Sequence, residues 1–130
     1  MIYVDTSVVL AELLGEDRIP QPGFWDEPLF SSRLMVHETW VRLNARNLVA
    51  THGDATDRLL SRVSLVELSP LVLERALTPF PAPVRTLDAL HLATLDWLAR
   101  SGRRPSVAVY DVRLRDAALA LGFAPHPLAG

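Results

Sequence analysis

The chain has 130 residues, a formal net charge of −2 and no cysteine, which excludes disulfides, thiolate metal sites and a cysteine nucleophile and argues against a globally basic nucleic-acid binder. With 49% hydrophobic residues, its length suits one domain, residues 1–130, able to bury a core without covalent staples. All 13 basic residues are arginine, a pattern that fits G+C-rich coding or phosphate contact.

MIYV opens the chain, and Ile2, Tyr3 and Val4 read as a short buried strand before a helix that begins at SVVLAELL. Asp5 stands at the joint, where it can cap the helix or be held at the strand end for chemistry. The prolines and glycine of GEDRIPQPGFWDEP predict a connecting loop over 15–28. LFSS (29–32) reads as a strand, and MVHETWVRLNARNLV (35–49) as one amphipathic helix through Val36, Trp40, Leu43, Asn44 and Asn47. Asp54 is expected to cap a further helix over 54–64, and LVELS (65–69) to form a strand.

Pro70 suits the first turn of a short helix ending near Leu77, and Pro79, Pro81 and Pro83 exclude regular structure after it. RTLDALHLATLDWLARSG (85–102) is the strongest helix, with Leu87, Leu90, Leu95 and Leu98 giving a broad apolar surface and Gly102 at its end. SVAVYD (106–111) has the pattern of a strand buried on both faces, and RLRDAALALG (113–122) that of a helix closed by Gly122. FAPHPL is too rich in proline for a central strand and reads as an edge segment. This alternation predicts an α/β fold, a three-layer sandwich with a mostly parallel central sheet.

In such a sheet Asp5 and Asp111 both follow strands at the carboxyl edge, and Glu38 and Asp88 sit early in helices that start near it. Four acids from distant parts of the chain can therefore converge. Carboxylates that close raise one another's pKa unless a cation compensates, and hard oxygen donors without cysteine favour Mg²⁺ or Mn²⁺. Such a site is suited to metal-assisted phosphodiester hydrolysis. Singly, each acid has a plainer reading: Asp5 and Asp111 as helix caps, Glu38 as a solvated helix residue, Asp88 as a complement to a helix dipole. The same holds for His91, which reads first as a polar residue packed on the sheet, and for Trp40 and Trp97 as core or dimer contacts. Trp25, in the proline-rich loop, can serve recognition.

MIYVDTSVVL, SSRLMVHETWVRL, LDALHLATL and VYDVRLRDAALALG, in that order and spacing, resemble the PIN-domain ribonucleases, in particular the VapC-type toxins of toxin–antitoxin pairs. The resemblance implies a metal-dependent endoribonuclease in which Asp5, Glu38, Asp88 and Asp111 surround Mg²⁺ or Mn²⁺, with Asp5 and Asp88 as direct ligands. It gives Thr6 or Ser7 the place of the small hydroxyl residue beside the first aspartate; Asp116, five residues after Asp111, is left out. It further implies homodimers, an RNA substrate and a cognate VapB-like antitoxin. Arg33, Arg42, Arg46 and Arg85 are the candidates for RNA contact. A rival reading, a non-catalytic PIN-like module that binds RNA or protein, would be favoured by loss of one acid, and all four are present. A haloacid-dehalogenase-type phosphatase is disfavoured, since Ser7 stands where its second aspartate is required and no lysine exists. With neither a secretory signal nor an apolar run long enough to span a bilayer, the protein is expected in the cytoplasm and not in a membrane.

Overall fold

A computed structural model describes residues 1–128. Its centre is a parallel sheet of four strands, β1 (Ile2–Val4), β2 (Leu29–Ser32), β3 (Val63–Val66) and β4 (Ser106–Ala108), in the order β3-β2-β1-β4. Registers such as Tyr3 beside Phe30 and Val107, and Phe30 beside Ser64, fix the alignment. Six helices connect or flank the strands: α1 (Thr6–Leu14), α2 (Arg33–Ala45), α3 (Val49–Leu60), α4 (Pro70–Ala76), α5 (Thr86–Arg100) and α6 (Val112–Ala120). None is long and apolar enough to cross a membrane.

Alternation along the strands divides the core in two. Ile2 and Val4 face one side of the sheet, where Val8 and Val9 of α1, Met35 of α2 and Leu60 of α3 pack. Tyr3, Val66 and Val107 face the other, against Leu92, Leu95 and Leu98 of α5 and Leu114 and Ala117 of α6. The result is the expected three-layer sandwich. Parallel strands need long crossovers, and helices supply them on both faces.

Local chemistry explains where the elements start and stop. Ser32 accepts from the Leu34 N–H (3.1 Å) and caps α2. Ser69 does the same for α4 through the Val72 N–H, and Pro70 takes the first position. The one helix expected over 35–49 is two. After Ala45 the chain turns at Asn47, whose φ of 55° is left-handed, and the Leu48 N–H donates to the Leu43 carbonyl at 2.9 Å to close the helix. Asn tolerates this conformation better than other side chains, and its helical spacing in the sequence hid the break. Consequently α3 begins at Val49, and Asp54 lies inside it instead of capping it. β3 falls two residues earlier than LVELS, in register with β2. Leu87 is exposed, and Leu92 takes the core position on α5. The FAPHPL segment does sit at the edge, where Pro125 bridges Val107 in parallel.

Candidate active site

β1 is central, so its carboxyl end lies mid-edge, flanked by the ends of β2 and β4. Asp5 leaves that end with its N–H donating to the Ala108 carbonyl of β4 (2.9 Å). Its Oδ2 accepts from the Ser7 N–H at 3.0 Å, so Asp5 is indeed the cap of α1. The two readings of this residue coincide, because capping is what fixes the carboxylate at the strand end. Ser7 ties in the segment that follows β4 as well, its Oγ accepting from the Tyr110 N–H at 3.0 Å.

The other three acids arrive from separate elements. Glu38 is in the second turn of α2, Asp88 in the first turn of α5, and Asp111 caps α6 by accepting from the Arg113 N–H (2.9 Å) and the Leu114 N–H (3.4 Å). All four line one pocket of about 680 Å³, together with Thr6, Ser7, Arg18, Arg42, His91 and Tyr110. Of the arginines expected near RNA, Arg42 is on the pocket wall. Arg33 pairs instead with Glu67, and Arg85 lines a separate apolar groove beside Leu77 and Phe80. Arg46 is exposed at the end of α2. Arg18, from the loop after α1, faces the pocket without having stood out in the sequence, because a single charged loop residue carries no periodic signal.

A buried chain of hydrogen bonds supports the pocket floor. Tyr3 Oη lies 2.7 Å from His91 Nδ1, His91 Nε2 lies 2.7 Å from Glu38 Oε1, and the Thr6 hydroxyl donates to the same Glu38 oxygen at 2.7 Å. His91 Nε2 is also 3.9 Å from Asp5 Oδ1. His91 therefore packs on the sheet, edge-on to Tyr3, and at the same time contacts the acids.

The electrostatics follow from this placement. Burial disfavours a charged His91, but the Glu38 hydrogen bond and the charges of Asp5, Glu38 and Asp88 outweigh it and raise the imidazole above its ordinary value. Burial likewise opposes an ionised Glu38, yet bonding to His91 and Thr6 leaves its carboxyl below the usual range. For Asp5 burial wins over His91 and Ser7, so its carboxyl is pushed up. Burial, with Asp5 adding to it, drives the Tyr3 phenol upward too and keeps it protonated.

A cation near these carboxylates would relieve the raised Asp5, and the donor set of carboxylate oxygens matches a hard divalent ion. Among the described residues, however, no three His, Asp or Glu side chains stand close enough to hold one ion between them. This is compatible with Mg²⁺ or Mn²⁺ chemistry, in which one or two carboxylates bind directly and water fills the remaining positions, but not with a closed all-protein cage.

Comparison with known proteins agrees with this architecture. The PIN domain family model matches residues 2–119. The chain is 31% identical to ribonuclease VapC46 of Mycobacterium tuberculosis over 127 residues, covering 95% of this chain and 94% of the relative. It is 30% identical to ribonuclease VapC47 of the same species, over 95% of this chain and 93% of that one. Two solved structures share the fold. M. tuberculosis VapC20, a sarcin-ricin-loop-cleaving toxin, superposes with a TM-score of 0.66 at 19% identity, over 97% of this chain and 98% of that one. A toxin–antitoxin complex from Klebsiella pneumoniae gives 0.65 at 17% identity, over 87% and 88%.

Proposed function

The chain belongs to the PIN domain family, and we propose that it is a Mg²⁺- or Mn²⁺-dependent endoribonuclease, the toxin of a toxin–antitoxin pair. The observation that carries the reading is the meeting of Asp5, Glu38, Asp88 and Asp111, from four separate elements, on one pocket in a chain related to ribonucleases along nearly its whole length. Its substrate is RNA, its partner a cognate antitoxin, and its working form a homodimer.

In this reading Asp5 and Asp88 would hold the ion, and Glu38 and Asp111 would contact it through water or hold a second one. Bound there, the ion supplies an activated water and offsets charge on the phosphorus-centred transition state and the leaving oxygen. The chain's own groups do the rest. Thr6 and His91 fix one oxygen of Glu38, so the carboxylate stays ionised and its second oxygen is left to orient the attacking water and accept its proton. Arg42, one helical turn beyond Glu38, draws the RNA backbone toward an otherwise acidic pocket.

The deciding experiment is RNA cleavage by wild type and Asp88→Asn with Mn²⁺ or Mg²⁺, and with EDTA. Cleavage that needs the metal and is lost in the variant supports the reading. Cleavage by wild type that is insensitive to both EDTA and the variant sinks the site assignment.

A further inference from the structure

Six carboxylates, those of Asp5, Glu16, Asp17, Glu38, Asp88 and Asp111, line the acidic pocket, and two arginines, Arg18 and Arg42, line it with them. A phosphodiester approaching such a wall is repelled by like charge unless cations stand ready for it. Five other arginines are engaged by acids, as Arg33 is by Glu67, and Arg103 and Arg104 lie over aromatic rings outside the pocket. Among the described residues Arg18 and Arg42 form no ion pair, in spite of the carboxylates that share the pocket with them.

Arg18 is exposed, yet the segment that carries it is tied down. Gly15 ends α1 in the left-handed conformation (φ 62°), and the Glu16 N–H donates back to the Ala11 carbonyl at 3.0 Å. Further along, Pro20 is buried, and Trp25 Nε1 donates to Glu12 Oε1 of α1 at 2.8 Å, its ring edge-on to Phe24. The loop is thus fastened to α1 at both ends. The Arg18 guanidinium lies over the Tyr110 ring, 4.9 Å from its centre. Stacking of this kind fixes the plane of the cation and leaves the N–H groups along its edge free for an anion.

The strand order places the two arginines on opposite flanks. β2, β1 and β4 are neighbours in that order, so α2, with Glu38 and Arg42, follows the strand on one side of Asp5, and Tyr110 and Asp111 follow the strand on the other. Arg18, stacked on Tyr110, and Arg42 therefore bracket the acids.

We propose that Arg18 is a backbone clamp for RNA, its planar fork holding the phosphate next to the scissile one on the β4 side while Arg42 serves the β2 side. The substrate strand then crosses the carboxyl edge of the sheet from α2 toward Tyr110, with the scissile phosphate over Asp5. A contact to the backbone adds affinity and register without any base preference. The proposal rests on the ribonuclease reading, and its test separates the two.

Two measurements serve. The first is the kinetics of cleavage of a single-stranded RNA with Mn²⁺ by wild type, Arg18→Met, Arg18→Lys and, as a control for net charge, Arg58→Met on the exposed side of α3. Arg18→Met should raise KM about tenfold, the worth of a charge-assisted hydrogen bond, with kcat unchanged. Arg18→Lys should fall between the two, since it keeps the charge and loses the fork and the stack. Arg58→Met should behave as wild type. The second is binding of a labelled oligouridylate in the Asp88→Asn background, at fixed Mg²⁺ and rising KCl. The slope of log K against log salt should flatten by about 0.7 with Arg18→Met and by about 1.4 with Arg18→Met and Arg42→Met together, one phosphate for each arginine. A KM and a salt slope that Arg18→Met changes no more than Arg58→Met overturn the clamp, and so does a loss confined to kcat. Absence of cleavage by wild type on every RNA counts against the ribonuclease reading, and the salt series then still decides the clamp.

Discussion

His91 and Glu38 are joined at 2.7 Å, Nε2 to Oε1, although 53 residues separate them in the chain. His91 is 2% exposed, and its other nitrogen is engaged by Tyr3 on the central strand. The imidazole thus links the sheet to the most strongly tethered acid of the pocket.

Replacing His91 with Ala should be costly on two counts. It strands the Tyr3 hydroxyl and leaves Glu38 without its main partner, a loss of about 3 kcal/mol by comparison with broken buried pairs. Tyr3→Phe should cost less, about 1 kcal/mol, since it removes a single hydrogen bond. Urea denaturation of both variants checks the order, and a His91→Ala protein as stable as wild type would show that the network carries no weight.

Stability of the metal-free protein should depend on pH in a definite direction. The folded state raises the pKa of His91, so its contribution is complete below the unfolded value near 6.5 and is lost as pH rises through the folded one. Asp5 acts in the same sense, because its raised carboxyl makes ionisation unfavourable to the fold. Glu38 is depressed, and its contribution is lost only as pH falls through its lowered folded value. In EDTA the urea midpoint should therefore be higher at about pH 5.5 than at pH 8. The difference should diminish in His91→Gln.

Asp5→Asn and Asp88→Asn should keep the fold and lose the chemistry. Asn caps a helix about as well as Asp, so α1 survives the first change. Cleavage should fall by more than about 100-fold in each, since even groups that merely support a metal ligand are worth 10–100-fold. Mn²⁺ should raise the melting temperature of wild type, by an amount equivalent to about 2.7 kcal/mol at a hundredfold excess over Kd, and should do little for Asp88→Asn. Equal metal stabilisation of both proteins would place the ion elsewhere.

The turn between α2 and α3 offers a test independent of the site. Asn47→Gly should be neutral or slightly stabilising, and Asn47→Val should cost about 1–2 kcal/mol, because a branched side chain is crowded at a φ of 55°. Thermal melts of the two variants suffice.

The acids and their strands were readable because each lies at a junction with its own local signal: Asp5 between an apolar triplet and a helix, Asp111 after the most buried strand, Asp88 in the first turn of the strongest helix. Glu38 carried the weakest signal, its place early in the helix after the second strand, since a glutamate inside an amphipathic helix is ordinary. The Asn47 break was hidden because Asn44 and Asn47 continue the helical spacing that the backbone abandons. Tyr3 and His91 lie 88 residues apart, and no local pattern reports a hydrogen bond closed only by the packing of α5 on the sheet. Tyr110 was similarly opaque, as it reads simply as the end of a buried strand.

The strand order has a consequence for synthesis. β1 is the first element made, yet its neighbour β4 and the acid that follows it come from the last quarter of the chain. Because domains form as the ribosome delivers them, and distant pairing waits for its partner, the sheet cannot close on both sides of β1 until residues 106–108 have emerged. The pocket that the four carboxylates line is therefore among the last features of the fold to be completed, since Asp111 follows β4.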